Sequence, residues 1–388
     1  MTNKKVITGI DIGTSKISVV ICQMKTAEDI EILGMGTSIL KGVQKGVIVD
    51  QSLFINALQN CLKRAQASSD QLIEDVFVNV PSGNSRYTIQ TGIIQNETSQ
   101  PSKKIKTEQA MKKAIHCIDK KGQSVLHLFP INQRVDGQTR SVANTYYNLE
   151  VDTGIVLCDS NNLNIIYSSI KKMGLKIKGV ISDYLSMAAP YLTQTKHMTQ
   201  LFIDFGAQTT SFCVFTNNQL QFANTILIGS DQVTHDLSIC LKCSVSEAER
   251  IKILHGQLNK LDTDLSNSIS VQTHNGPQLV KLSLVTSIIE SRMNQLFQMI
   301  QKYLIHTVNY DSVCLIGSGA NLGGLHQWVE QKLSKPIMKS TQFEFNDISV
   351  NSNYMIAMGQ VVYGYQIGLL KHSHSSILEK ISSKIFKN

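Results

Sequence analysis

The sequence predicts an α/β protein built from two related halves, and three observations support this fold class. The chain has 388 residues, more than one hydrophobic core usually organises, so two lobes or several subdomains are expected. One strand–turn–strand motif occurs twice, far apart in the chain, and a third apolar strand ends in a glycine-rich turn before a helical pattern. Repetition of one unit in a long chain indicates duplicated halves.

Composition and charge narrow the class of protein. Hydrophobic residues make up 42% of the chain and charged residues 17%, which is typical of globular domains with ordinary cores. The formal net charge of +8 is spread widely and accompanies no nucleic-acid-binding signature, so we expect no nucleic-acid partner. We also expect no signal peptide and no membrane-spanning helix, because no apolar stretch approaches the roughly 20 residues that a span needs.

The eight cysteines are scattered, and several fall in apolar strand-like runs. A thiol in such a run behaves as a small hydrophobe, which favours a reducing compartment. Cys240 and Cys243 form a single CxxC pair. Because no second pair lies at zinc-site spacing, the sequence does not favour a metal or redox role for them.

The repeated motif has the plan apolar, Asp, apolar, Gly, small, polar, polar. Its copies occupy residues 10–16 and 203–209, and each precedes an apolar run, at 17–21 and 211–215. Each copy therefore predicts two strands joined by a tight turn, with the aspartate just before the turn.

Such a turn is suited to holding phosphate groups, because glycine allows close approach of the backbone and successive N–H groups attract anions. A glycine-containing hairpin is common, and its recurrence is what favours this interpretation. We expect Asp11 and Asp204 to face one ligand from opposite lobes and to hold Mg²⁺ through its waters. The predicted cofactor-binding residues of the two turns are Asp11, Gly13, Thr14, Ser15, Lys16, Asp204, Gly206, Ala207, Gln208 and Thr209.

The third element is the apolar strand and glycine turn of residues 313–320, followed by a helical pattern over 322–333. Its spacing fits a dinucleotide fingerprint poorly, and the chain has no GxxxxGK[ST] loop. We expect a nucleotide contact from Gly317, Ser318, Gly319 and Ala320.

Two phosphate hairpins followed by a strand–glycine–helix element resemble the actin, hexokinase and DnaK superfamily. That resemblance implies ATP between two lobes, with Glu249 and Lys252 flanking the ribose and adenine. The alternative for these two side chains is a surface ion pair one helical turn apart.

Over nearly the whole chain the sequence is further similar to the FtsA family. The segments that carry this similarity are 41–50, 76–83, 125–130, 246–256 and 354–359. Segment 137–144 departs from the family pattern, so contacts of partners there are left open. The resemblance implies an actin-like two-lobed fold of ribonuclease H-like duplicated domains with a small inserted α+β (SHS2-like) subdomain.

The expected boundaries follow from this resemblance. The first lobe comprises 1–83 and 161–197, the inserted subdomain 84–160, the second lobe 198–370, and a linker with a C-terminal helix 371–388. Either Asp183 or Gln208 could orient a hydrolytic water, and which of them does so is left open. ATP binding with slow hydrolysis at most is expected, and whether the protein is an enzyme stays open.

The C-terminal segment predicts an amphipathic helix that lies in a membrane interface. Its apolar residues fall on one helical face and basic residues flank them, and together they form the predicted membrane-binding set Ile377, Leu378, Ile381, Ile385, Phe386, Lys380 and Lys384. A helix docked on its own domain is the alternative. The short linker, 371–375, places this helix close to the body.

The resemblance to FtsA implies a bacterial cell division protein at the cytoplasmic face of the inner membrane, at the division septum. Its implied partners are the C-terminal peptide of FtsZ, further copies of itself in a head-to-tail filament, an anionic membrane surface and other division proteins. Arg292 matches a basic position that binds the FtsZ peptide in similar proteins. Two alternatives stay open: a PilM-like adaptor of pilus assembly, and a sugar kinase or chaperone-like ATPase on the same fold.

Overall fold

The structure is a computed structural model. It describes residues 5–24, 26, 29–69, 71–95, 106–139, 146–192, 198–258, 267–305, 309–338, 344–345, 348–349 and 352–373.

The first lobe contains a five-stranded sheet whose strands follow one another in the order β11-β6-β1-β2-β3. Strands β1, β2 and β3 form an antiparallel meander, and β6 and β11 add to β1 in parallel. The strands are β1 (Lys5–Ile12), β2 (Lys16–Met24), β3 (Ile30–Ile39), β6 (Asp75–Val78) and β11 (Lys176–Val180).

The second lobe repeats this arrangement with the sheet order β14-β13-β12-β17-β18. Its first three strands again form an antiparallel meander, and its last two again add in parallel. The strands are β12 (Thr199–Phe205), β13 (Thr210–Thr216), β14 (Gln219–Ile226), β17 (Ser312–Ile316) and β18 (Ile337–Met338). The two lobes are thus duplicated ribonuclease H-like units, which confirms the predicted fold class.

A third sheet, of order β7-β10-β8-β9, is inserted between β6 and β11 of the first lobe. Its strands are β7 (Ser85–Gln95), β8 (Gln123–Val135), β9 (Gln138–Thr139) and β10 (Asn148–Asp159). Helix α2 (Thr107–His116) packs on β7 so closely that a Cβ added at Gly92 would meet the Ala110 carbonyl oxygen at 1.8 Å. This α+β unit has its own core, in which Met111, Leu149 and Ile155 are buried.

Short hairpins complete the strands. They are β4 (Val43–Gln44) with β5 (Val47–Ile48), β15 (Ser268–Thr273) with β16 (Gly276–Lys281), and β19 (Glu344–Phe345) with β20 (Ile348–Ser349).

The remaining helices cover the faces of the two large sheets. They are α1 (Gln51–Ala67), α3 (Ser160–Lys172), α4 (Asp183–Leu192), α5 (Ser230–Cys240), α6 (Val245–His255), α7 (Leu282–Leu304), α8 (Leu325–Leu333) and α9 (Met355–Ser373). Several begin at a side-chain cap: Asp50 accepts from the Leu53 N–H at 2.9 Å and Asp159 from the Asn162 N–H at 2.7 Å.

Helices α4 and α9 lie between the two sheets and contribute to one core with both. Buried members of this core include Tyr184 and Met187 of α4, Met358 of α9, Val20 of the first sheet and Phe202 of the second. Helix α9, which follows the second lobe in sequence, also packs on the first lobe, since the Gln360 side chain accepts a hydrogen bond from the Ile10 N–H at 2.9 Å. The two lobes therefore share packing as well as a common fold.

Candidate functional site

The two predicted hairpins are built alike. In the first, the Gly13 N–H donates to the Lys16 carbonyl at 3.0 Å, and in the second the Gly206 N–H donates to the Thr209 carbonyl at 3.0 Å. Asp11 pairs with Ser18 across its hairpin, and Asp204 pairs with Ser211 across the other. Each aspartate therefore holds the same register position, one residue before the end of its strand.

Both hairpins open into a single cleft between the lobes. Of the predicted site residues, the cleft is lined by Asp11, Gly13, Thr14, Ser15, Lys16, Asp183, Asp204, Gly206, Ala207, Thr209, Gly317 and Ser318. Residues that the sequence did not predict as site residues complete the lining: Ile12, Pro81, Ser82, Ser352, Asn353 and Ile356. Gln208, Gly319, Ala320, Glu249, Lys252 and Arg292 are not among the lining residues.

The third predicted element reaches the cleft because β17 lies beside β12 and ends next to Asp204. Gly317 follows with φ +85°, in the region that favours glycine. A Cβ added there would stand 2.2 Å from Asp204 Oδ1. Glycine is therefore required for the turn to pass this carboxylate.

Three carboxyl groups, those of Asp11, Asp183 and Asp204, meet in the cleft. Burial raises the pKa of Asp183 to about 7 and that of Asp204 to about 6. Burial, followed by the charges of Asp183 and Asp204, raises the pKa of Asp11 well above its usual range. Neutralising this cluster requires protons or a cation, so the site has the electrostatic character of a cation-binding pocket.

Lys16 is the basic side chain among the lining residues. Burial lowers its pKa, while Asp11 and Asp204 oppose that change. Its Nζ donates to Asn353 Oδ1 at the start of the segment leading into α9. The lysine therefore connects the first hairpin with the residues before the last helix.

Buried hydrogen bonds hold the acidic side chains in place. The Asn79 amide donates to Asp183 Oδ1 at 2.7 Å and to Asp11 Oδ1 at 3.3 Å, and the Ser82 N–H donates to Asp183 Oδ2 at 2.8 Å. Sequence reasoning missed the roles of Asn79 and Ser82. The available signal was an asparagine inside an otherwise apolar strand end, since buried polar side chains are usually hydrogen-bonded.

Polar contacts join the two lobes beneath the cleft. Ser82 Oγ lies 2.5 Å from Ser211 Oγ, and Tyr184 Oη lies 2.9 Å from Thr225 Oγ1. These bonds tie the segment after β6 and helix α4 to strands β13 and β14.

Gln208 is held away from the cleft. Its Oε1 accepts from the Lys45 N–H at 2.8 Å, and its side chain also bonds Asp231. Since Asp183 lines the cleft and Gln208 does not, the geometry favours Asp183 of the two candidates for orienting a water.

Glu249 and Lys252 form an ion pair of 2.7 Å on α6. Thr234 of α5 joins it, donating to Glu249 Oε2 at 2.5 Å and accepting from Lys252 Nζ at 2.8 Å. Both charges act on Asp231, which bonds Gln208. A polar chain therefore links this pair to the second hairpin, and its predicted contact with ribose and adenine stays a prediction.

Arg292 is an engaged side chain rather than a freely exposed one. Its Nε donates to Asp236 Oδ2 at 2.6 Å and a terminal nitrogen donates to Asp236 Oδ1 at 2.8 Å, which joins α7 to α5. The side chain of Arg292 keeps 22% of its surface exposed. Its predicted contact with a partner peptide stays a prediction.

The donor set suits Mg²⁺ held through water. Carboxylate oxygens are the ligands this ion prefers, and it usually keeps several waters. Over the residues that the structure describes, no cluster of three or more His, Cys, Asp or Glu side chains is arranged to ligate a metal together. Asp11 and Asp204 could therefore hold the ion through its waters, and their contact with Mg²⁺ stays a prediction.

The predicted membrane-binding residues, 377–386, lie outside the described part of the chain. The last described helix, α9, ends at Ser373, so residues 371–373 of the expected linker are helical. Among the described helices, none combines the length and apolar character needed to span a bilayer.

The duplicated sheets, paired hairpins and shared cleft define the class of protein: this chain has the actin-like fold. Comparison with solved structures supports this. The structure described as "PilM-PilN type IV pilus biogenesis complex" matches with a TM-score of 0.68 at 11% identity, covering 93% of this chain and 99% of the other. MreB5 of Spiroplasma citri bound to AMPPNP matches with a TM-score of 0.59 at 12% identity, covering 95% and 98%.

Sequence comparison shows which proteins of this fold the chain resembles. Residues 201–359 match the model of the family described as cell division protein FtsA. Cell division protein FtsA of Borreliella burgdorferi is 25% identical over 99% of this chain and 95% of its own length. That of Pseudomonas aeruginosa is 25% identical over 93% and 90%. The chain is a relative of the FtsA proteins, which confirms the resemblance seen in the sequence.

Proposed function

We propose that this protein acts in bacterial cell division as an actin-like ATP-binding protein that polymerises and tethers FtsZ filaments to the cytoplasmic membrane at the septum. The observation that carries the proposal is the convergence of both Asp-Gly hairpins on one cleft, in a chain related to FtsA proteins along nearly its whole length. The role in cell division is proposed from the relatives' name, and the binding of a nucleotide is proposed from the residues of the cleft.

The cleft fits a Mg–nucleotide in three respects. Gly13 and Gly206 line the cleft, and a glycine turn allows the backbone to approach a ligand closely, which favours phosphate. Lys16 offers a cation, and the three carboxyl groups offer a place for hydrated Mg²⁺. The bound Mg²⁺ would neutralise phosphate charge, while Asp11 and Asp204 hold its waters.

Asp183 is suited to orient an attacking water if hydrolysis occurs. Both of its carboxyl oxygens already accept hydrogen bonds from Asn79 and Ser82, which fixes the carboxyl group at the cleft wall. A fixed acceptor with a pKa of about 7 can take a proton near neutral pH. We propose slow ATP hydrolysis at most.

We propose that closure of the two lobes around a nucleotide promotes polymerisation. A nucleotide that touches both hairpins favours the arrangement in which the lobes are closed, because a ligand shifts a conformational equilibrium by its differential affinity. Closed copies that meet head to tail form an open filament. Many weak membrane helices on one filament then bind a membrane cooperatively, since linked sites raise effective concentration.

The proposed anchor is the C-terminal segment 374–388. Each basic residue near an anionic leaflet contributes about 1 kcal/mol, so one such helix gives reversible attachment. The proposed partners are the FtsZ C-terminal peptide on the second lobe, other division proteins, and further copies of the chain.

Co-sedimentation with anionic vesicles and FtsZ, with and without ATP, tests this function. The full chain should pellet with vesicles and carry FtsZ with it, and ATP should increase the bound amount. Removal of 374–388 should abolish pelleting while leaving nucleotide binding intact, because the cleft residues all precede Gly359. Recovery of FtsZ on vesicles by the truncated chain would contradict the tether.

The two alternative functions predict different results in assays of peptide binding and ATP turnover. A PilM-like adaptor shares the fold and would bind a peptide other than the FtsZ tail. A sugar kinase or chaperone-like ATPase would turn over ATP rapidly, and a kinase would respond to a small hydroxyl substrate. Rapid turnover without FtsZ binding would favour the enzyme.

A further inference from the structure

Asn79 lies directly after β6, behind the cleft and fully buried. It does not line the cleft itself. Its Oδ1 accepts from the Ile12 N–H at 2.7 Å. Because that backbone group can only donate, the amide oxygen must face β1, and the NH₂ group must face the carboxylates.

The NH₂ group serves acceptors from two separate elements. It donates to Asp183 Oδ1 at 2.7 Å, to the Ile12 carbonyl at 3.1 Å and to Asp11 Oδ1 at 3.3 Å. Asp11 belongs to β1 and Asp183 begins α4. One buried side chain thus contacts two of the three cleft carboxylates and also the backbone beside one of them.

We propose that Asn79 is a positioning residue for the Mg–nucleotide, whose amide fixes Asp11 and Asp183 at a set separation. The inference rests on the proposed function, in which Asp11 holds the hydrated ion and Asp183 faces the attacking water. Two carboxylates in one pocket repel each other, so without a shared donor they would turn apart. With it, both carboxylates are held in place at the cleft, which they line together.

Asn79→Leu should reduce the gain in nucleotide affinity that Mg²⁺ provides, because leucine keeps a similar volume and removes every amide contact. Nucleotide affinity is measured by calorimetry with Mg²⁺ and again with EDTA. In the wild type, Mg²⁺ should tighten binding. In N79L that Mg²⁺-dependent gain should shrink by about tenfold, the low end of the loss seen when an outer partner of a metal ligand is removed.

Asn162 supplies the matched control. It is equally buried and makes the same kind of bridge, accepting from the Ile48 N–H at 3.0 Å and donating to the Gly46 carbonyl at 2.9 Å. No carboxylate bond of its side chain is among these contacts. Asn162→Leu should lower the melting temperature and retain the wild-type ratio of affinities with and without Mg²⁺.

A mutant cycle identifies the carboxylate partner. If Asn79 acts through Asp183, the effect of N79L on Mg–ATP affinity should be smaller in the Asp183→Asn background than in the wild type, whereas the effect of N162L should be the same in both. Should N79L fail to fold, Asn79→Ala, which leaves room for water, is measured in the same way.

The outcomes separate the inference from the function it rests on. Absence of Mg–ATP binding by the wild type overturns the proposed function. Wild-type binding, together with an unchanged Mg²⁺ gain in N79L or N79A, overturns the role of Asn79 alone. Equal loss of that gain in N79L and N162L likewise overturns it, since the effect would then be general destabilisation.

Discussion

Asp11 and Asp204 occupy equivalent positions in two separately encoded hairpins and line the same cleft. Each precedes a glycine whose N–H closes its turn over a distance of 3.0 Å. The duplication therefore extends from sheet order to individual hydrogen bonds, and it gives the cleft two matching walls.

Gly317→Ala should weaken nucleotide binding and destabilise the protein. The new Cβ would stand 2.2 Å from Asp204 Oδ1 and would also place alanine at φ +85°. Backbone strain of this kind costs of order 1 kcal/mol, and displacement of the carboxylate adds to it. Gly137→Ala is the control, because Gly137 has φ +79° and nothing within 4 Å of the added atom. Chemical unfolding and calorimetry should show strain in both variants and weaker Mg–ATP binding in G317A alone.

Because of the raised pKa of Asp183, the nucleotide-free protein should lose stability as the pH rises from about 4 to 7. The pKa of Asp183 is raised to about 7, so the folded state holds its proton where the unfolded chain has lost it. This contribution is complete below the unfolded pKa near 4 and disappears as the pH rises through 7. The slope is at most about 1.4 kcal/mol per pH unit for one group. In Asp183→Asn the fall between pH 5 and 7 should be shallower, measured by urea unfolding; equal slopes would contradict the raised pKa.

His127 should give stability the opposite pH dependence, with a loss as the pH falls. Its Nε2 accepts from the buried Ser182 N–H at 3.0 Å, and burial lowers its pKa to about 4. The folded state excludes a proton that the unfolded chain accepts near pH 6.5, so stability is lost as the pH falls from 6.5 towards 4. His127→Phe removes the acceptor and should cost about 1–3 kcal/mol at pH 7, with a smaller acid-side slope.

His116 on α2 is exposed and serves as the comparison for this histidine. His116→Phe should leave the stability at pH 7 nearly unchanged, since no buried acceptor is lost. Identical unfolding curves for H127F and H116F would show that the buried acceptor contributes nothing.

Arg292→Glu should destabilise the second lobe whether or not it touches FtsZ. It replaces the hydrogen-bonded ion pair with Asp236 by two facing carboxylates. At this degree of exposure the change should lower the free energy of unfolding by about 1–2 kcal/mol. Lys302→Glu, on the exposed side of the same helix, makes the same charge change without that pair. Thermal unfolding should separate the two variants.

A charge exchange separates stability from partner binding at this position. Arg292→Asp combined with Asp236→Arg should recover part of the lost stability. If the FtsZ peptide recognises the charge of Arg292, the exchanged protein should still bind it weakly. Wild-type affinity in the exchanged protein would remove Arg292 from the peptide site.

The two hairpins and the glycine turn could be predicted from local sequence patterns, because the residue types within 10–16, 203–209 and 313–320 themselves favour strands and turns. Repetition of the motif predicts that these segments meet, and in the structure all three contribute residues to one cleft. Asn79, Ser82 and Asn353 could not be placed in this way, since each reaches the site through contacts between distant segments. The engagement of Arg292 with Asp236 has the same origin, as the partners lie on separate helices.

The packing of α9 also depends on tertiary structure. Sequence order puts it after the second lobe, yet Gln360 bonds the first strand of the first lobe. A helix with apolar residues over most of its surface is buried between partners, but periodicity alone does not name those partners.

Calorimetric titration of Mg–ATP tests the central claim most directly. The account predicts one saturable site per chain, with affinity at least about tenfold weaker in Asp11→Asn and in Asp204→Asn. Asp75→Asn, which alters a half-exposed carboxylate paired with Lys178 on the same first-lobe sheet, should bind as the wild type does. Absence of saturable binding, or wild-type affinity in both D11N and D204N, would contradict a nucleotide held between the two hairpins.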